Sequence, residues 1–176
     1  MEVPMNPLFL TIPLFALQAP PVVLPELEAK DLAPAPRGPM SPHVQDAGAE
    51  RGAMGQARRA ARRGPSIPAL QLPAGSVRVK DKVPDISGWR AYAIEVPSGG
   101  SVKVHVVEGR KAWFRVLGVN AWGRDEPGLL QNRIYTGEPQ ASYKNPSTEN
   151  RTIYFIVDTL DVNMTGDEFT IEVTRG

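Results

Sequence analysis

The chain of 176 residues contains no cysteine and only two histidines, His43 and His105. The absence of cysteine excludes disulfides, thiolate metal sites and a cysteine nucleophile. The two histidines alone cannot form a zinc site, and they leave nucleophilic catalysis without a well-placed base. No Ser-x-x-Lys, Gly-x-Ser-x-Gly or His-Glu-x-x-His pattern occurs. The sequence therefore predicts no catalytic residues, and the enzymatic alternative is reduced to carboxylate-only chemistry of the glycosidase type, for which no facing pair can be identified.

Large aromatic side chains are scarce in the first part of the chain. Residues 1–76 hold 13 of the 18 prolines but only two of the twelve aromatic residues, Phe9 and Phe15. A packed core needs large apolar side chains at regular spacing, so the core is predicted in the second part. The predicted organisation is a signal-like segment over 1–19, a flexible linker rich in Pro, Ala, Gly and Arg over 20–75, and one folded domain over 76–176.

An excess of charge of either sign is also missing. Residues 77–176 carry 13 basic and 13 acidic side chains, and residues 1–76 carry seven basic and six acidic ones. Neither part resembles a general binder of polyanions, and nucleic acid is not a predicted partner.

No apolar run is long enough to span a bilayer as a helix. The longest run, Leu8–Leu17, has ten residues, whereas a span needs about 20. Its length fits the apolar region of a secretory signal, with cleavage after Ala19. No basic residue precedes the run, so an N-terminal segment that packs on the protein is the alternative. We expect a secreted or periplasmic protein without a transmembrane span.

The predicted linker contains one dense cluster of charge, formed by Arg58, Arg59, Arg62 and Arg63. In a transient helix these side chains would form adjacent stripes at i,i+4 spacing. They could bind an anionic polymer such as nucleic acid, a lipid surface or an acidic polysaccharide. A processing site for a trypsin-like protease and a solvated patch are the other interpretations.

Alternating side chains dominate the rest of the chain, and the stretch GWRAYAIEVPSGGSVKVHV over 88–106 is the clearest example. Tyr92, Ile94 and Val96 point to one face, and a second alternating run follows a Pro-Ser-Gly-Gly turn. Period-2 alternation is typical of strands with one buried face. The glycines supply the positive φ that a reversal requires, so the stretch predicts a β-hairpin.

Further short apolar runs predict more strands, at 77–83, 112–119, 129–135, 151–158 and 168–174. The run at 112–119 is apolar on both faces and predicts a strand in the centre of a sheet. No amphipathic stretch of helical length separates these runs. The predicted fold class is all-β, an antiparallel β-sandwich of the jelly-roll or immunoglobulin-like kind. SIPALQL, residues 66–72, could add an edge strand to its own sheet or to that of a second subunit, which would cause self-association.

Three segments carry a family resemblance. The series Tyr92-x-Ile94-x-Val96-Pro97-x-Gly99 before a valine strand, and the closing segments 153–157 and 169–173, resemble bacterial pre-peptidase C-terminal domains over about residues 70–176. The resemblance implies a β-sandwich attached to secreted enzymes, non-catalytic, and associated with secretion, substrate contact or stability. This chain departs from that pattern because no catalytic domain accompanies it and because the 120–147 connection is unusually rich in charge and tryptophan.

Four side chains in the 120–147 connection are candidate ligand-binding residues: Trp122, Arg124, Tyr143 and Lys144. Aromatic rings on exposed loops provide flat apolar area for sugars or peptides, and the adjacent cations could contact an anionic group. Alternatively, the rings fold back over the end of the sandwich.

The loop TLDVNMTGDE and the aspartate just before it offer weak calcium candidates in Asp158, Asp161 and Asp167, although their spacing matches no EF-hand. An ordinary acidic connection is the alternative, and no other cofactor is predicted. The sequence as a whole predicts an exported, non-catalytic β-sandwich module with a binding or structural role, whose partner is a protein or polysaccharide at the cell envelope. The alternatives are an anion binder acting through the arginine cluster and an accessory module for carbohydrate or peptide.

Overall fold

The computed structural model describes residues 23–39, 67–83, 89–133, 137–159 and 166–176. Predictions that concern residues 1–19, His43, the arginine cluster and Asp161 lie outside these residues. The described strands are β1 (Glu26–Glu28), β2 (Ala69–Gln71), β3 (Val77–Lys82), β4 (Trp89–Val96), β5 (Ser101–Glu108), β6 (Phe114–Val119), β7 (Leu129–Gln131), β8 (Gln140–Lys144), β9 (Arg151–Thr159) and β10 (Glu168–Arg175). Two single 3₁₀ turns occupy Ala29–Asp31 and Lys111–Trp113.

The strands form two sheets, which confirms the predicted all-β sandwich. The six-stranded sheet has the order β1-β3-β10-β5-β8-β7, and the four-stranded sheet has the order β2-β4-β9-β6. Eight strand pairings build these sheets. Six of them are antiparallel, while β1 runs parallel to β3 and β2 runs parallel to β4.

The core lies between the sheets and follows the predicted alternation. Tyr92, Ile94 and Val96 of β4 are buried in it, as are the inward valines of β5. The opposite face of the four-stranded sheet carries a second, smaller apolar cluster that includes Ala91, Ala93, Leu117, Tyr154 and Ile156. The four-stranded sheet is therefore apolar on both faces, whereas the outer face of the six-stranded sheet is polar, as its Arg78–Glu172 ion pair at 2.9 Å illustrates.

The predicted hairpin over 88–106 is wrong, because β4 and β5 lie in different sheets. The turn itself exists: the Gly100 N–H donates to the Pro97 carbonyl at 3.0 Å, and Gly99 has a φ of 70°. The chain then crosses the core instead of folding back beside β4. The alternation correctly predicted which face of each strand is buried. Two strands can bury those faces by packing against each other from opposite sheets, and they need not be neighbours in one sheet.

A buried asparagine holds this crossing in place. Asn145 is 1% exposed, and its Nδ2 donates to the carbonyls of Val96, Pro97 and Glu149 at 3.0, 3.0 and 2.8 Å. Its Oδ1 accepts from the Ser147 backbone N–H at 3.0 Å and from the Ser147 hydroxyl at 2.8 Å. Backbone groups that leave a sheet inside a protein need such partners, since an unpaired buried polar group is costly.

Two segments of the predicted linker belong to the folded part, so the linker prediction is wrong for them. Residues 25–39, here called the strap, begin beside β3, where the Pro25 carbonyl accepts from the Arg78 N–H at 2.8 Å. The strap then continues as β1 and runs along β2, where the Ala35 N–H donates to the Ala69 carbonyl at 2.8 Å. The prediction that 66–72 adds an edge strand to its own sheet is confirmed by the pairing of β2 with β4.

The strap thus covers one side of the sandwich. Leu27 and Leu32 pack against the main core, and Ala35 packs against the second cluster. Four prolines in the strap explain why sequence composition indicated an extended linker. Prolines are tolerated here because an edge strand needs donors on one side only.

Strand β6 is also misplaced by the sequence, since it is an edge of the four-stranded sheet and not a central strand. Its outer edge is covered by β7 and the two residues after it: the Gly118 N–H donates to Gln131 Oε1 at 2.5 Å, and Arg115 Nη1 donates to the Arg133 carbonyl at 2.8 Å. A Cβ at Gly118 would lie 2.5 Å from Leu129 Cδ2, so glycine allows this close approach. Because β7 covers its outer edge, β6 can be apolar on both faces although it is an edge strand.

We expect the substitution Asn145→Ala to lower the free energy of unfolding by about 2–4 kcal/mol, because it leaves several buried groups without partners. Urea denaturation followed by circular dichroism measures this change. The control is Ser98→Ala, which removes one exposed hydrogen bond to the Ser147 carbonyl at 2.9 Å and should cost under about 1 kcal/mol. Equal effects of the two substitutions would contradict the role assigned to Asn145.

Candidate functional site

The connection after β6, residues 120–128, is an ordered loop, here called the Trp122 loop. Asn120 Oδ1 accepts from the backbone N–H groups of Trp122 and Arg124 at 2.8 and 3.0 Å. The Asn120 N–H donates to the Arg124 carbonyl at 2.8 Å, and the Gly123 N–H donates to the Asn120 carbonyl at 2.9 Å. Asparagine side chains commonly organise turns by bonding the backbone two residues later. This loop therefore has a fixed backbone at the point where Trp122 leaves it.

A second set of contacts ties the Trp122 loop to β7. Gln131 Nε2 donates to Asp125 Oδ1 at 2.9 Å, and the Arg133 guanidinium forms an ion pair with the same carboxylate. Asn120 Nδ2 donates to Glu126 Oε1 at 3.2 Å. Because Gln131 also accepts from Gly118, it joins the loop to the edge of β6.

The indole of this loop points to solvent. Trp122 is 62% exposed, and Leu130 on the neighbouring strand β7 is 73% exposed. Trp113, at the opposite end of β6, is 43% exposed. Single exposed apolar residues are ordinary, but a large aromatic side chain on a rigid loop is a typical anchor for a partner.

The acidic and basic side chains near the Trp122 loop differ in whether they have partners. Both carboxylates of the loop are occupied, Asp125 by Gln131 and Arg133, and Glu126 by Asn120. Arg124 and Lys144 are exposed, and neither forms an ion pair with the residues that the structure describes. Lys144 lies against the loop, since its backbone N–H donates to the Gly128 carbonyl at 3.0 Å. The Trp122 loop and β8 therefore present two exposed cations, Arg124 and Lys144, beside carboxylates that are hydrogen-bonded within the loop and to β7.

Tyr143 does not share this surface, so the prediction that its ring is an exposed stacking platform is wrong. Its side chain is 2% exposed and belongs to the core of the sandwich. The hydroxyl donates to Asn145 Oδ1 at 3.3 Å. Burial raises the pKa of this phenol, and nearby Glu126 raises it further. The sequence missed strand β8, whose alternation places Tyr143 inward and its neighbour Lys144 outward.

The described calcium candidates are engaged elsewhere. Asp158 is 5% exposed and forms a 2.5 Å ion pair with Arg115, which itself donates to the Arg133 carbonyl. Asp167 lies 3.6 Å from Arg110. Within the described ranges, no group of three or more His, Asp or Glu side chains is arranged to hold a metal.

His105 lies on the polar face of β5, as its position in the alternation predicts. Its Nε2 lies 2.9 Å from Glu138 Oε2, and this hydrogen bond lowers the pKa of the Glu138 carboxyl. No hydrogen bond among the described residues joins a serine or threonine hydroxyl to His105.

An open cleft of about 370 Å³ lies beside the strap, and the strap residues Glu28, Lys30 and Leu32 contribute to its lining. Among its other lining residues are Asp81 on β3 and Arg90 on β4. Arg90 Nε lies 2.8 Å from Asp81 Oδ2, and the Tyr92 hydroxyl donates to the same oxygen at 2.7 Å. Burial and the Asp81 charge raise the pKa of Tyr92 well above its usual range.

Sequence reasoning did not identify the residues that organise these two regions. Asp81 carried a signal, because it occupies an inward position in the alternation Val77, Val79, Asp81, Val83. Asn120 carried a weaker one, since an asparagine between a strand and a glycine favours a turn. Gln131 carried none, because its role depends on which strand it meets in space.

The comparisons with known proteins are sparse. No family model matches the chain, and no curated protein matches it. Among solved structures it is similar to PliG from Aeromonas hydrophila, a periplasmic lysozyme inhibitor of g-type lysozyme, with 15% identity and a TM-score of 0.40. The match covers 61% of this chain and 96% of that one. A likeness this distant supports no argument about this chain, whose class rests on its own geometry: a two-sheet β-sandwich with an ordered, tryptophan-bearing loop.

One further observation concerns the membrane. Within the described ranges, no helix has the length and apolar character needed to cross a bilayer.

We expect Asn120→Ala to release the backbone of the Trp122 loop while leaving the sandwich folded. Loss of three side-chain hydrogen bonds, two exposed and one partly buried, should cost about 1–3 kcal/mol of stability. The NMR order parameter of the Trp122 backbone amide should fall from about 0.85 towards 0.6. The matched control is Asn150→Ala, an exposed asparagine that bonds Glu95 at 2.9 Å. An unchanged order parameter in the Asn120 variant would show that the loop is held by other contacts.

Proposed function

We propose that this protein is an exported, non-catalytic binding module, and that the Trp122 loop contacts a partner protein. The observation that carries this proposal is the 62% exposure of Trp122 on a backbone fixed by Asn120. Tryptophan is enriched among the residues that contribute most to protein interfaces. A loop that is already ordered loses little conformational entropy on binding, so more of the contact energy contributes to affinity.

The surroundings of Trp122 favour a protein over a polysaccharide. Sugar-binding surfaces use flat aromatic area, and the second ring of the predicted platform, Tyr143, is buried. A single projecting indole fits a pocket better than it fits an extended sugar chain. Leu130 on the adjoining strand is 73% exposed and could extend the apolar contact.

The charges define the partner more closely. Arg124 and Lys144 are exposed, while the loop carboxylates are bonded within the loop and to β7. Complementary potentials accelerate association and exclude wrong partners. The proposed partner therefore offers an apolar pocket bordered by acidic side chains.

Export is part of the proposal and depends on the signal-like segment 1–19. The resemblance to pre-peptidase C-terminal domains stays a prediction, as does anion binding by Arg58, Arg59, Arg62 and Arg63. An intact Met1 on a cytosolic protein would contradict export without affecting the binding proposal.

A photo-crosslinking amino acid at position 122 tests the proposed interface, with position 113 as the matched control at the other end of β6. The captured envelope protein is then purified and its affinity measured by calorimetry. Trp122→Ala should weaken binding at least about 30-fold, the effect of losing 2 kcal/mol at an interface anchor. Trp113→Ala should change it less than about threefold. Arg124→Glu should slow association and reduce its salt dependence.

Two results would reject the proposed function. One is an affinity that Trp122→Ala leaves unchanged. The other is binding to alginate or polygalacturonate that depends on Trp122, which would replace the protein partner with an acidic polysaccharide.

A further inference from the structure

The open cleft beside the strap is lined by the strap and by both sheets. Strands β2 and β4 contribute from the four-stranded sheet, and β3 and β10 contribute from the six-stranded sheet. Its volume of about 370 Å³ falls within the range of small-molecule sites, roughly 300–1,000 Å³. The Trp122 loop follows β6, at the opposite edge of the four-stranded sheet from β2. A ligand in the cleft would therefore occupy a site separate from the surface proposed for the partner protein.

Apolar side chains provide one part of the lining. Leu32 of the strap and Leu70 of β2 line the cleft, and both are only partly buried. The stems of the basic lining residues add methylene groups, since such side chains lay their stems along apolar surface and keep their charge in water. Leu32 and Leu70 thus have apolar surface that a ligand in the cleft can cover.

The carboxylate of Asp81 does not act as a free negative charge in this cleft, because its partners compensate it. Arg90 Nε lies 2.8 Å from Asp81 Oδ2, and Arg90 Nη2 donates to Oδ1 at 3.1 Å. The Tyr92 hydroxyl donates to Oδ2 and the Lys82 backbone N–H donates to Oδ1, both at 2.7 Å. Asp81 and Arg90 therefore form a neutral part of the lining.

The other charges of the lining favour an anion. Lys80 Nζ lies 3.6 Å from Glu168 Oε2, so these two side chains also balance each other. Lys30 and Lys82 are exposed, and neither forms an ion pair with the residues that the structure describes. Glu28 is the remaining acidic residue of the lining. Four basic and three acidic side chains give the lining a net charge of +1.

We propose that this cleft binds a small monocarboxylate with an unbranched apolar tail, such as a medium-chain fatty acid. Lys30 and Lys82 contact the carboxylate, and Leu32 and Leu70 contact the tail. One negative charge matches the net charge of the lining, whereas a phosphate monoester brings about −1.5 to −2. A cationic amphiphile of the same length places its charge beside the two lysines and is rejected by repulsion.

Binding in the cleft also stabilises the docked strap, because the ligand touches the strap and both sheets. The Gln71 N–H donates to the Ala33 carbonyl at 2.8 Å, and this bond breaks when the strap opens. A ligand that binds only the docked state lowers the population of the open state by mass action. Hydrogen exchange of the Gln71 amide should therefore slow about tenfold when octanoate is present at ten times its Kd.

Titration calorimetry of the full chain with sodium octanoate tests the proposal. The titration extends to about 10 mM, because the contacts of a ligand of this size suffice for a Kd in the millimolar range or tighter. Octanoate should bind about four- to tenfold more tightly than hexanoate, since its two additional methylene groups are removed from water. Octylammonium, the cation of the same length, should bind at least about tenfold more weakly than octanoate.

A matched pair of double variants locates the site. Lys30→Gln with Lys82→Gln should weaken octanoate at least about tenfold, because each substitution removes a charge-assisted hydrogen bond. Lys103→Gln with Lys144→Gln makes the same change of charge at exposed positions on β5 and β8, and should change the affinity less than about twofold.

Four results would overturn the proposal. The first is an absence of octanoate binding throughout the titration, and the second is octylammonium that binds as tightly as octanoate. The third is an equal affinity of the cleft variant and its matched control. The fourth is octanoate binding that leaves exchange of the Gln71 amide unchanged, which would place the ligand away from the strap.

Discussion

The backbone at the sheet edges is the constraint on which this structure depends. A sandwich of two open sheets has four edges, and the N–H and C=O groups along them invite pairing with other chains. Here the strap pairs with β3 and β2 on one side, and residues 129–133 cover β6 on the other. The exposed outer strands, β1 and β7, are three residues each. Short edges offer too few groups for extensive pairing.

The position of the Trp122 loop follows from this coverage of the sheet edges. The chain that covers β6 needs a connection from one sheet to the other, and the Trp122 loop is that connection. Gln131 links the two tasks, because it satisfies Gly118 on β6 and bonds Asp125 in the loop. Trp122 is therefore held by the same residues that close the sheet. The strap closes the other side by pairing with β3 and by backbone hydrogen bonds to β2.

The sequence predicted the faces of the strands far better than their partners. Alternation placed Tyr92, Ile94 and Val96 in the core, because the period of a strand is a local property. It could not show that β5 crosses to the other sheet, since that choice depends on Asn145, fifty residues further on. The same limit applies to the site. The composition of the 120–147 connection correctly indicated that Trp122 is exposed, but the burial of Tyr143 could be predicted only by recognising strand β8. The proline content suggested a linker where the structure has edge strands. Proline has no backbone N–H, and both a linker and the outer side of an edge strand tolerate that loss.

Asp81 is buried, and it lines the cleft that the strap shares with β3 and β4. The strand period directs this carboxylate inward, and a buried charge is tolerated only with hydrogen-bonding partners. Arg90 and Tyr92 supply them, but a guanidinium and a phenol occupy positions where apolar side chains would otherwise pack. Arg90 also lines the cleft of about 370 Å³, together with the strap residues Glu28 and Lys30. The strand period thus places a charge inside, and an ion pair and a hydrogen bond from β4 accommodate it beside the strap.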